Sequence, residues 1–178
     1  MLGHGAGGGV NAPDILAATE AANSAGFMVA LVEQPYRVAG RRSPAPARQL
    51  DAAWTAVLEQ LREDTLLGLT VIAGGRSAGA RVACRTFAEV GAAAVLCLAF
   101  PLHPPGKGDD PTQSRLPELD AVQVPTLVVQ GESDPFGMPP PGDNREVVRL
   151  KGNHSLAGDM EGLRSAVREW LAGLASRT

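Results

Sequence analysis

At 178 residues the chain is long enough to bury a core of its own and short for two domains, and 44% apolar with 20% charged residues sets it apart from disordered chains. A net charge of −3 and a pI of about 5.6 argue against a nucleic-acid binder, which needs a cationic footprint. The longest mainly apolar stretch, residues 90–102, is broken by Gly91 and Pro101 and falls short of the roughly 20 residues that span a bilayer, so no membrane helix is expected.

The first ten residues hold a Gly-rich run, His4-Gly5-Ala6-Gly7-Gly8-Gly9, with neither the basic start nor the apolar stretch of a signal peptide. A helix follows, with Asn11 as its expected cap, Pro13 in its first turn and Gly26 past its end. Residues 27–32 read as a strand, and residues 37–48, with Pro44, Pro46 and several arginines, as a solvated loop. Leu50, Trp54, Val57, Leu58 and Leu61 make one face of a second helix. Further strands are predicted over residues 67–73, 92–100, 125–130 and 146–150, all short, apolar and bounded by Gly, Pro or charge. Residues 101–115 form a second loop. Met160, Leu163, Val167, Trp170, Leu171 and Leu174 line a terminal helix. Alternating helices and strands, the strands apolar on both faces, predict an α/β fold over residues 1–178: a single domain with a mostly parallel sheet and helices on both faces. With Gly and Pro making up 35 of the residues, many tight turns are expected. Cys84 and Cys97 lie in apolar segments without CxxC spacing, which points to buried thiols in a reducing compartment and a cytoplasmic location.

Chemistry enters at Gly75-Arg76-Ser77-Ala78-Gly79, a G-x-S-x-G pattern. Alone it is generic. Here a strand pattern runs into it and a helix pattern, residues 80–88, runs out of it, which is the arrangement that exposes a serine hydroxyl on a sharp corner. Side chains at positions 75 and 79 would collide with the neighbouring strand and helix as the backbone reverses. A helix beginning at Ser77 also turns its unpaired N–H groups toward any oxyanion formed there.

A base is sought among only three histidines: His4, His103 and His154. Enzymes with this elbow carry their residues in the order Ser, acid, His, each just past a strand, and only His154 satisfies that order. The acid must lie between Ser77 and His154 at a strand end. Asp134 fits, with Glu132 in reserve; Asp109, Asp110, Asp120 and Asp143 lie in polar loops. The Gly-rich run at His4 suits an oxyanion loop, because backbone donors approach a developing charge closely only where side chains are small; the expected donors are the N–H groups of Ala6 and Ala78. A nucleotide-phosphate cradle fits less well: the run has no Lys, and no strand is expected before it. Phe100, Leu102, Phe136 and Met138 are candidate substrate-binding walls, and Arg76 and Arg81 read as structural ion-pair partners before ligands for an acidic substrate. Scattered His and Cys give no ligand spacing, so neither a metal nor a cofactor is expected.

Taken together, these motifs resemble the alpha/beta-hydrolase superfamily, and more narrowly bacterial proteins related to dienelactone hydrolases, with distant animal relatives in the testis-expressed hydrolase-like protein and a subunit of the non-specific lethal complex. The resemblance runs through His4–Gly7, Gln34–Arg37, Gly74–Arg81, Phe100–Lys107, Gln130–Gly137 and Gly152–His154. It implies a minimal hydrolase fold without a cap domain, a Ser77–Asp134–His154 triad and a small-molecule ester substrate. Family members carry strands before the oxyanion loop, whereas this chain opens on the loop, so its first strands are expected to be missing. An exposed parallel edge there would favour a homodimer. Dienelactone hydrolases use a cysteine nucleophile; Ser77 moves the expected substrate toward ordinary esters. The rival reading is a catalytically silent binding or scaffold module on the same fold.

Overall fold

The computed structural model describes residues 1–176; the last two positions of the predicted domain, 177 and 178, lie outside the described residues. Six strands form one all-parallel sheet in the order β2-β1-β3-β4-β5-β6, comprising β1 (Leu2–Gly3), β2 (Leu31–Val32), β3 (Ile72–Arg76), β4 (Ala94–Leu98), β5 (Thr126–Gly131) and β6 (Arg145–Leu150). Helices α1 (Pro13–Ser24) and α6 (Met160–Ala175) pack on one face, while α3 (Ala47–Glu63) and α4 (Ala78–Thr86) cover the other. Two short helices, α2 (Pro35–Val38) and α5 (Leu116–Asp120), complete the described set of α-helices.

Each sheet face buries its own core, because β4 and β5 are apolar on both sides. Val95 and Cys97 pack with Trp54 and Leu58 of α3; Leu96 and Leu98 pack with Ala18 of α1 and Leu163 of α6. All eleven residues of these two strands are buried, which is why both read as predominantly apolar rather than alternating. Cys84 and Cys97 are buried free thiols with sulfurs 3.5 Å apart, and their contact, with burial, raises the Cys97 pKa well above the usual thiol value. Among the described residues no helix is long and apolar enough to cross a membrane.

Several expectations are corrected. A strand does precede the Gly-rich loop: Leu2 and Gly3 pair in parallel with Leu31 and Val32 on one side and with Gly74 and Gly75 on the other. Being interior, β1 presents no free edge beside the loop; the edge of the sheet on that side is β2. The strand over residues 27–32 contracts to its last two residues, because the Phe27 N–H is spent on the Ala22 carbonyl at the end of α1. That over residues 67–73 shifts to Ile72–Arg76, since the Leu66 and Leu69 N–H groups bond back to Leu61 and Leu66 in a turn that leaves Leu67 and Leu69 exposed. The helix cap is Ala12 rather than Asn11, with Pro13 opening the helix as expected. The segment between β4 and β5 holds only a 3-10 turn (Pro111–Gln113) and α5, so no cap domain covers the C-terminal ends of the strands.

Candidate active site

In a parallel sheet every strand delivers its following loop to the same edge. The loops after β1, β3, β5 and β6 therefore share one rim, and they carry the Gly-rich run, Ser77, Asp134 and His154.

Ser77 sits between β3 and α4 at φ 52°, ψ −109°, a left-handed conformation unusual for any residue with a side chain. The corner closes only because its flanks are bare. A Cβ on Gly75 would lie 2.5 Å from the Gly3 carbonyl oxygen, and one on Gly79 would drive into the same oxygen.

A second close approach brings the other two residues together. Glu132 and Ser133 donate their N–H groups to the carbonyls of Leu150 and Gly152, which extends the β5–β6 ladder past the strand ends. A Cβ on Gly131 would strike Asn153 and Gly152 backbone, so glycine there lets the His154 loop lie against β5. The result is a continuous chain of contacts. His154 Nε2 lies 2.9 Å from Ser77 Oγ, and His154 Nδ1 lies 2.8 Å from Asp134 Oδ2. With a carboxylate facing Nδ1, that nitrogen carries the proton and Nε2 is left to accept from the serine hydroxyl. The Phe136 ring packs against the imidazole at 4.2 Å between centroids.

Asp134 is itself fixed. Its side chain is 1% exposed, Oδ1 accepts from Phe136 N–H at 2.9 Å, and Oδ2 accepts from Gln130 Nε2 at 2.9 Å. The Gln130 side chain is fully buried, and its Nε2 also lies 3.0 Å from the Phe100 carbonyl oxygen and 2.8 Å from that of Gly137, so its two N–H bonds are shared among three acceptors. Sequence reasoning passed over this residue; the available signal was a polar side chain directly after the apolar run Leu127-Val128-Val129. Gln130→Leu should lower kcat about ten- to hundredfold with little change in KM, by letting the carboxylate turn; steady-state kinetics with melting curves separate that from loss of fold.

The Gly-rich loop is held from beneath by His4 and Tyr36. Gln34 N–H donates to His4 Nε2 at 2.9 Å, so the ring proton is on Nδ1, which donates to the Gly5 carbonyl at 2.8 Å. The Tyr36 hydroxyl reaches the Gly5 and Ala6 carbonyls at 3.4 Å each; burial raises the phenol's pKa, outweighing the opposing charge of Arg37, and keeps it a neutral donor. In a trans peptide the C=O and N–H point opposite ways, so anchoring the Gly5 carbonyl directs the Ala6 N–H away from His4. Neither the Ala6 nor the Ala78 N–H has an intramolecular acceptor among the described residues. A Cβ on Gly5 would stand 3.2 Å from Ser77 Cβ, which places this loop directly beside the serine.

Arg76 and Arg81 are both committed to the protein. Arg76 pairs with Asp14 at 2.7 Å and donates to the His154 carbonyl at 3.0 Å, tying α1 and the histidine loop to the elbow. Burial pushes the Asp14 carboxyl up, and the guanidinium offsets part of that rise. Arg81 grips both oxygens of Glu118, and Arg85 both oxygens of Asp51, which pins α4 to α5 and α3. Of the four candidate wall residues, Phe136 touches His154, and Leu102 and Met138 are half-buried nearby in the chain. Phe100 is corrected: its side chain is wholly buried in the core below the rim and offers no surface to a substrate. Among the described residues no cluster of three or more His, Cys, Asp or Glu is placed to hold a metal.

The fold and this rim define a hydrolase of the alpha/beta class, and comparison with known proteins agrees. The model of the alpha/beta hydrolase domain family matches residues 1–158, and the chain belongs to that family. A Xanthomonas campestris pv. campestris protein of the alpha/beta superfamily shares 21% identity and a TM-score of 0.67, over 99% of this chain and 97% of that one. A serine hydrolase without lid, also from Xanthomonas campestris, shares 20% identity over 97% of this chain and 82% of that one, with a TM-score of 0.74. An esterase of Pyrococcus furiosus shares 15% identity over 96% and 79%, with a TM-score of 0.73. At such identities the likeness is one of fold. A comparison with curated proteins returns no match.

Proposed function

We propose that the protein is a serine hydrolase acting on small acyl esters through Ser77, His154 and Asp134. One observation carries the reading: the unbroken line of hydrogen bonds from Ser77 Oγ through the imidazole to Asp134, at 2.9 and 2.8 Å. Ser77 Oγ attacks the carbonyl carbon while His154 Nε2 takes its proton; Asp134 holds the ring and stabilises the imidazolium. The N–H groups of Ala6 and Ala78 receive the developing oxyanion. His154 then protonates the leaving alcohol as the C–O bond breaks. Water, deprotonated by the same nitrogen, releases the acid and restores the serine. The described esterase and lid-free serine hydrolase of like fold support this reading, and the uncovered rim suits compact substrates. In its motifs the chain resembles the bacterial dienelactone-hydrolase-like proteins, with ordinary esters in place of lactones, and on this reading it acts in the cytoplasm, where Cys84 and Cys97 stay reduced.

The test is labelling with a fluorophosphonate, which reacts only with an activated serine. Prompt labelling of the wild type, lost in Ser77→Ala, is the expected result. No labelling of folded protein overturns the enzyme reading in favour of the scaffold module. Product analysis with competing alcohols then distinguishes hydrolysis from acyl transfer.

A further inference from the structure

Arg37 is set apart from the arginines around the elbow. Arg76, Arg81 and Arg85 each grip a carboxylate, whereas the Arg37 side chain has neither a carboxylate in ion-pair range nor a hydrogen-bond acceptor among the described residues. It is half-buried nonetheless. Its guanidinium lies against the Gly-rich loop, with Nη2 3.9 Å from where a Cβ on Gly9 would stand. The next residue back, Tyr36, is buried and bonded to the Gly5 and Ala6 carbonyls, so α2 holds Arg37 in fixed relation to the loop beside Ser77. Gly9 is four residues past Gly5, hence no more than about 14 Å from it. Around Gly7 a Cβ would meet nothing within 4 Å, so the loop's backbone is open on that side.

The charge along the chain on either side of Arg37 is one-sided. Between Glu33 and Asp51 the chain carries Arg37, Arg41, Arg42 and Arg48 and no acid, in a protein whose net charge is −3. Asp51 is already bound by Arg85. Glu33 is exposed and makes no ion pair with Arg37. A partly desolvated, unpaired guanidinium beside the loop, on a segment that carries four arginines and no acid, favours an anion there. We infer that the substrate carries a carboxylate or similar anionic group, held by Arg37 at the Gly7–Gly9 side of the loop while Ser77 attacks the ester. This rests on the hydrolase reading and narrows it to anionic esters.

Matched substrates test it. Monomethyl esters of linear five- to eight-carbon dicarboxylic acids place a carboxylate on the acyl side, and each is compared with its own dimethyl ester. O-acetylated hydroxy acids, compared with their amides, place it on the alcohol side. The wild type should prefer the anionic member of a pair by about tenfold or more in kcat/KM, in one arm at a favoured chain length. Arg37→Gln should collapse that ratio toward one, and Arg37→Lys should restore part of it. A ratio near one in both arms, or one that Arg37→Gln leaves intact, overturns the proposal while leaving the esterase reading in place. If no ester is turned over in a Ser77-dependent way, the esterase reading fails and binding decides the anion site alone. Glutarate should then shift the Gly7, Gly8 and Gly9 amide resonances saturably in the wild type and not in Arg37→Gln; unshifted amides in the wild type overturn it.

Discussion

With the proposed triad, Ser77→Ala should lower kcat/KM for short acyl esters by about four to six decades, and His154→Ala should do nearly the same. Each decade corresponds to about 1.4 kcal/mol of transition-state stabilisation, so the expected loss is about 5–8 kcal/mol. The size follows from the arrangement: without Nε2 at 2.9 Å the hydroxyl has no acceptor for its proton, and without Oγ the base has nothing to activate. Because the two act as one device, the double variant should be scarcely slower than either single one. Residual activity above the uncatalysed rate is expected from the Ala6 and Ala78 donors. Full activity in Ser77→Ala, or multiplicative losses in the double variant, would contradict the assignment.

The largest effect on stability is expected at Gly79→Ala. The new methyl would penetrate the Gly3 carbonyl and lie 3.0 Å from the His4 oxygen, and both are backbone atoms that no rotamer change can move. Relief requires α4 to rise off the sheet or β1 to leave it. A cost of about 3 kcal/mol or more follows, which for a domain of this size lowers the melting temperature by about 6–12 °C. Gly173→Ala in α6 is the contrast, since nothing lies within 4 Å of the added carbon. Helix propensity alone then operates, and this substitution should stabilise by up to about 1 kcal/mol. Calorimetry on the pair distinguishes a close-approach glycine from an incidental one.

What was legible in the sequence was local or ordered along the chain. Ser77 could be found because strand, turn and helix are adjacent in sequence, and the bare positions 75 and 79 announce a tight corner. Asp134 and His154 followed from chain order and from the apolar runs ahead of them. Strand β1 was not legible, because two residues carry no periodicity; they are a strand only because Leu31 and Gly74, about 30 and 70 positions away, supply pairing partners on both sides. The same holds for Gln130 and His4, whose parts depend on which way a buried side chain faces. Phe100 was misread for the complementary reason. A large apolar residue just past a strand suits a site wall or a core equally, and only the packing of α3 and α4 beneath it decides.

Ser77 lies in a region of backbone space that side chains avoid, at a cost of about 1–3 kcal/mol. The serine therefore occupies a position where folding alone would choose glycine, and the rest of the sheet must over-determine the corner to keep it. On the proposed reading robustness and reactivity compete there: a change that relaxes the corner makes the protein hardier and the hydroxyl less available, so selection for heat tolerance alone would erode the proposed chemistry first.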